Sequence, residues 1–69
     1  MTKINIFSDF ITLGQLLKMT DTIASGGETK FYLQTHKIYV NKELENRRGR
    51  KLYPGDEIKI ENNIYLICK

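Results

Sequence analysis

The 69-residue chain has one cysteine, one proline, one histidine and no tryptophan. A single thiol, Cys68, excludes an internal disulfide and any multi-cysteine zinc site. The fold must therefore hold by packing alone, which suits a reducing cytoplasm and sets the expected localisation. No apolar run approaches the length of about 20 residues that a membrane-spanning helix requires, and no signal-peptide core is visible. Neither a phosphate-binding Walker loop nor a dinucleotide fingerprint occurs. His36 has no acidic or cysteine companion at metal-ligand spacing, so no metal and no cofactor are expected. His36 is read as a structural residue on the core side of a helix, and Cys68 as an inert thiol at a strand end. A chain this short buries only about 60% of its unfolded surface, which leaves no room for a deep two-domain cleft. No catalytic residue is assigned, and the chain is not expected to be an enzyme.

What the chain does have is unevenly placed positive charge. Its formal net charge is +3, from 11 Lys/Arg against 8 Asp/Glu. The segments 1–11 and 54–69 are near neutral or slightly acidic, so the excess lies in residues 12–53. Within it, Arg47, Arg48, Arg50 and Lys51 form a run with no acidic residue between positions 46 and 55. Such a patch raises the local potential and attracts polyanions, and the arginine fork suits phosphate oxygens. A solvated charge run is the plainer reading of the same residues.

Hydrophobic spacing suggests an α+β fold. Ile4 and Ile6 alternate with polar or exposed positions in a strand over about 3–7. Thr12 followed by Gln15 is a capping box, and Leu13, Leu16 and Leu17 continue at helical spacing to about residue 19. Asp21–Gly27 is turn-rich, with Ile23 as an anchor beneath it. A second helix is expected from Gly27 or Glu28 to His36, with Thr29, Tyr32, Leu33 and His36 on its core side. Lys30, Gln34 and Lys37 form its adjacent basic face. Ile38–Asn41 reads as a strand, Asn41–Gly49 as a loop or exposed edge, and Tyr53-Pro54-Gly55-Asp56 as a type II turn. Strands at Ile58–Ile60 and Ile64–Cys68 are joined by a tight hairpin at Asn62-Asn63. The sum is a two-helix hairpin packed on a small, mostly antiparallel sheet.

Phosphate recognition is the chemistry these residues favour. Gly26 and Gly27 at the start of the second helix let backbone N–H groups approach an anion. Lys30, Gln34 and Lys37 extend that surface, and Phe31, Tyr39 and Tyr53 lie close to the basic residues. Phe31 falls outside the core arc of its helix, where it either stacks on an unpaired base or packs against the terminal strand.

Ser25-Gly26-Gly27-x-x-Lys30, Ile38-x-Val40-Asn41, Arg47-Arg48-Gly49-Arg50-Lys51-Leu52 and Gly55-Asp56-x-Ile58 together resemble the S4 RNA-binding domain, most closely its stand-alone YaaA-like branch. The resemblance covers about residues 11–61. It implies a single domain over 1–69 built on an αL motif, with flanking strands at about 3–7 and 63–68 that pair to cover an otherwise exposed sheet. It also implies a non-catalytic RNA-binding protein; a monomer is the default expectation, and the short apolar runs predict no membrane partner. Its partner would be structured RNA, ribosomal RNA or an assembling ribosomal subunit. Carried over by position, the RNA-facing residues are Thr12 and Gln15 at the first helix start, Gly27, Lys30, Gln34 and Lys37 on the second helix, and Arg47, Arg48, Arg50 and Lys51 in the loop. Where the broader family has arginine after the serine this chain has Gly26, which shifts the expected contact toward residues 47–51.

Two other readings compete. A β-grasp sulfur carrier also shows Val-Asn followed by Gly-Asp-x-Ile-x-Ile, but it needs a C-terminal Gly-Gly, and no glycine follows Gly55 here. A protein-interaction adaptor could use the basic loop to dock an acidic partner.

Overall fold

Strands alternating between apolar and polar residues can bury one face only, and here they do so against two short helices. The computed structural model describes all 69 residues. Strand β1 (Thr2–Asn5) is followed by β2 (Ile11–Thr12) and helix α1 (Leu13–Met19). A 3-10 turn (Gly26–Glu28) then leads into α2 (Thr29–Thr35). The rest of the chain is β3 (Ile38–Val40), β4 (Glu43–Glu45), β5 (Lys51–Leu52), β6 (Glu57–Ile60) and β7 (Asn63–Cys68). Five strands form one mixed sheet in the order β1-β7-β6-β3-β4, and β2 pairs with β5 separately. Only β1–β7 is parallel; the other pairings are antiparallel. The fold is thus α+β, with two helices and a mixed sheet.

One face of the large sheet is apolar. Ile38, Val40, Ile58, Ile60 and Ile67 are buried on it and join Leu13, Leu16, Leu17 and Leu33 from the helices in a cluster of 13 buried residues. Helices as short as α1 and α2 are marginal in water, so this burial is what keeps them formed. Local chemistry sets their ends. Thr12 and Gln15 complete the capping box of α1, the Thr12 hydroxyl accepting from Gln15 N–H at 3.2 Å and Gln15 Oε1 accepting from Thr12 N–H at 2.7 Å. At the other end the Thr20 hydroxyl donates to Leu16 O, and Ile23 is buried beneath the following turn as the anchor expected there.

A polar lock joins two turns. Asn41 Nδ2 donates to Asp56 Oδ1 at 3.0 Å, and Asn41 Oδ1 accepts from Glu57 N–H at 3.0 Å. Asp56 Oδ2 in turn accepts from Tyr53 N–H at 2.8 Å, closing the Tyr53–Asp56 turn in which Gly55 takes φ +98°. The Val-Asn and Gly-Asp elements of the sequence are therefore two halves of one hydrogen-bonded brace, and the type II turn falls where expected.

Several expectations need correction. The tight β6–β7 turn is Glu61-Asn62, one residue earlier than Asn62-Asn63, because Ile60 pairs with Asn63 and Glu61 takes the left-handed φ of 56°. Of the two readings for 41–49, residues 43–45 take the exposed edge: they are an edge strand paired with β3, turned at Asn41 and Lys42, which both have positive φ. The flanking strands do pair, but β1 extends the sheet at its edge and does not cover a face. Helix α2 stops at Thr35, whose hydroxyl turns back onto Phe31 O, so Lys37 lies beyond the helix. His36 is exposed, its ring stacked on Tyr32 at 4.0 Å with Nε2 3.6 Å from Glu61. Burial, with help from the Glu61 hydrogen bond, pushes the Tyr32 hydroxyl up to about 12. No helix is long and apolar enough to cross a membrane.

Candidate nucleic-acid interface

The basic run does not hang free; it is folded around one carboxylate. Glu45 ends β4 on the inner side of the sheet and is buried, where an unpartnered charge would be costly. Arg47 grips it with both arms, Nε donating to Oε2 at 2.9 Å and Nη2 to Oε1 at 3.1 Å. Arg50 Nη1 adds a third bond at 2.8 Å, and the N–H groups of Asn46 and Arg47 donate to Oε2 at 3.2 and 3.1 Å. The Arg47 hydrogen bonds, opposed by burial and helped by Arg50, hold the Glu45 carboxyl down at about 2. No buried side-chain polar atom lacks a partner. Arg47 and Arg50 are thus partly committed to an internal ion pair, which the sequence reading of four free cations did not foresee. Arg47 keeps 72% of its side chain exposed and Arg50 30%.

The loop is also tied to the first helix. β2 pairs with β5, Thr12 opposite Lys51, and this sets the start of α1 against residues 48–50. Leu13 N–H donates to Arg50 O and Gly14 N–H to Arg48 O, each at 2.9 Å. With the capping box, the first N–H groups of α1 are all occupied, so Thr12 and Gln15 serve as caps and the helix start offers no open anion site. Gly14 sits at this contact with room for a methyl but not for a larger side chain. A Cβ there would lie 3.5 Å from Arg48 O, 3.6 Å from Arg48 Cβ and 3.6 Å from Thr29 Cγ2. That one point brings together the loop, α1 and the first residue of α2.

The remaining candidate residues are at the surface. Arg48 is exposed and enters no ion pair, and Lys51 is exposed with its ammonium 5.0 Å from the Phe10 ring centroid, a cation–π contact. Gly26 and Gly27 are exposed in the 3-10 turn, and a methyl on Gly26 would meet nothing within 4 Å. Lys30, Gln34 and Lys37 are exposed. Gln34 and Lys37 line a shallow depression with Glu45 and Asn46, which links the far end of α2 to the start of the loop. Arg47, Gly49, Arg50 and Lys51 line a second depression together with Tyr53. Phe31 is 68% exposed, so it does not pack into the body of the protein. Sequence reasoning missed Glu45, the residue that organises the loop; the signal was a glutamate at the end of Glu43-Leu44-Glu45 followed two and five residues on by arginine.

The family model described as "S4 domain" matches residues 4–68. The chain belongs to the S4 domain family. It is also 55% identical over 58 residues to a curated Bacillus subtilis (strain 168) protein named "Probable ribosome maturation protein RlbA", a match spanning 84% of this chain and 82% of that protein. Membership over nearly the whole chain displaces the β-grasp alternative.

Proposed function

We propose that this S4-family chain is a non-catalytic RNA-binding module that recognises structured RNA, specifically ribosomal RNA or an assembling ribosomal subunit. The observation that carries the reading is Arg48: it sits on a loop fixed by Glu45 on one side and by α1 on the other, yet its own charge is unspent. A phosphate arriving there meets a positioned donor without displacing an internal partner. Arg47, Lys51, Lys30 and Lys37 add charge around it. Gly26 and Gly27 leave the backbone before α2 open to close approach, and Arg50 acts mainly by shaping the loop. In this reading residues 11–61 work as an αL motif, two helices and the strands after them presenting one basic face, within a single domain over 1–69. The relative named as a ribosome maturation protein supports a ribosomal target. A monomer acting in the cytoplasm fits this role.

The test is binding of the full chain to ribosomal RNA fragments by mobility shift across a salt series. Engagement of about four phosphates gives a slope of log K against log salt near −3, from roughly −0.7 per contact. Arg48→Ala should make the slope shallower by about 0.7 while the melting temperature stays in place. Absence of binding at low salt, or binding indifferent to salt, overturns the proposal. Crosslinking in cells followed by sequencing of the attached RNA names the target, and partners that survive ribonuclease digestion would point instead to an adaptor role.

A further inference from the structure

Beside the arginine loop lies a feature that phosphate binding does not use. Tyr53 is 47% exposed, and its ring lies 5.7 Å from that of Phe10 at an interplanar angle of 48°. The Lys51 ammonium stands 5.0 Å from the centroid of the Phe10 ring. Tyr53 shares its depression with Arg47, Gly49, Arg50 and Lys51, so an aromatic face and a set of cations border the same shallow space.

We propose that Tyr53 and Phe10, with Lys51, form a stacking site for one unpaired RNA base, placed so that the phosphates flanking that base reach the arginine loop. The inference rests on the RNA-binding reading above and deepens it: the RNA must offer an unstacked nucleotide, in a bulge, a loop or a junction. Three observations support it. The first is adjacency, since a nucleotide presents a flat π-face and a charged phosphate a few ångströms apart, and this depression offers a partner for each. The second is rigidity. Tyr53 N–H donates to Asp56 Oδ2 at 2.8 Å and Tyr53 O accepts from Asp56 N–H at 3.0 Å, while Asp56 is itself held by Asn41. The turn is pinned further by Gly55 N–H donating to Ile67 O at 2.8 Å. A ring presented from so braced a turn loses little freedom when a base lands on it. The third is exposure: an aromatic side chain left half in water beside cations is better matched to a base than to the core. A base inside an A-form helix has both faces covered by its neighbours, so only an unpaired one can use the site.

Two RNA hairpins, identical except that one carries a single bulged 2-aminopurine, separate the possibilities. Wild-type protein should prefer the bulged hairpin by about 5- to 100-fold, the range that base–aromatic stacking supports, and should change the fluorescence of the probe. Tyr53→Leu should bring the two affinities together and abolish the fluorescence change, whereas Tyr53→Phe, which keeps the ring, should retain both. Arg48→Ala should weaken both hairpins by the same factor. Equal wild-type affinity for the two hairpins with no fluorescence change overturns the stacking site and leaves the RNA-binding reading standing. Retention of the preference by a folded Tyr53→Leu protein overturns it as well. Failure of the wild type to bind either hairpin at low salt sinks the RNA-binding reading itself.

Discussion

Residues 46–51 and residues 25–28 both border the proposed interface, and they are built in opposite ways. The first segment is held by five hydrogen bonds to the Glu45 carboxylate and by two from the start of α1. The second begins at Ser25, whose side chain makes no capping bond, and runs through Gly26 and Gly27, beside which an added methyl would meet no atom closer than 3.9 Å; it is held by backbone bonds from Glu28 N–H to Ser25 O and from Thr29 N–H to Gly26 O. The arginine loop has its shape before any ligand arrives and loses little entropy on binding. The glycine turn is held by its own backbone alone, with no side-chain bond, and leaves open space beside it. A surface that pairs a fixed grip with an open one can hold a folded RNA in one register while tolerating variation in its backbone path.

The sharpest way to break this contrast is to remove the fixed half. Glu45→Ala leaves Arg47 and Arg50 without their partner and should cost about 2–3 kcal/mol in urea denaturation, a large share of the stability of so small a domain. RNA affinity should fall with it, as the loop loses its shape. The same carboxylate makes a pH prediction. Its folded value, about 2, lies below the ordinary 4.5, so its contribution is present above pH 4.5 and is lost as the pH falls toward 2. Wild type should lose up to about 3 kcal/mol through that window. Glu45→Ala should show a correspondingly flatter acid limb, and parallel curves for the two proteins would mean that the clasp contributes nothing.

Gly14 tests the joint between loop and helix. A methyl there sits at ordinary contact distance from Arg48 and Thr29, so Gly14→Ala should be neutral or raise stability by about 0.5–1 kcal/mol through helix propensity. Gly14→Leu has no such room and should cost about 1–3 kcal/mol by pushing Arg48 off the helix start. Equal melting temperatures for the two variants would show that the loop does not need this close approach. The open half predicts the smallest change. Gly26→Ala should move stability by less than about 0.5 kcal/mol, since its methyl meets nothing, yet weaken RNA binding by up to about tenfold if the backbone there meets a phosphate. Unchanged binding would confine the interface to the loop.

Much of the framework was legible because it is local. Thr12 and Gln15 announce the start of α1, Pro54-Gly55 announces its turn, and the isoleucines at 58 and 60 alternate as a half-buried strand must. Where the reading slipped, a distant partner had decided the matter. Positive φ at Lys42 and Glu61 is imposed by strand pairing and has no signature in those residue types. Residues 43–45 read as loop or exposed edge because two glutamates have poor strand propensity, and β4 is indeed an edge strand; Glu45 is tolerated inside only because Arg47 and Arg50 fold back onto it. The basic patch itself was plain, but its division into structural and free arginines was not. Nothing in Arg-Arg-Gly-Arg says which guanidinium faces in. His36 likewise lies at a core-facing interval, but the helix ends before it, and its backbone is already extended.

The parallel pairing of β1 with β7 carries a consequence for how the molecule comes into being. Thr2–Asn5 has no other neighbour in the sheet, and its partners, Tyr65–Cys68, are the most remote in the chain. During synthesis the amino-terminal strand must therefore wait, unpaired, until residues 63–68 have emerged, while β3, β4 and β6 can already assemble. Ring closure of this kind is the slow, high-contact-order step of a small fold. It should be the last pairing to form.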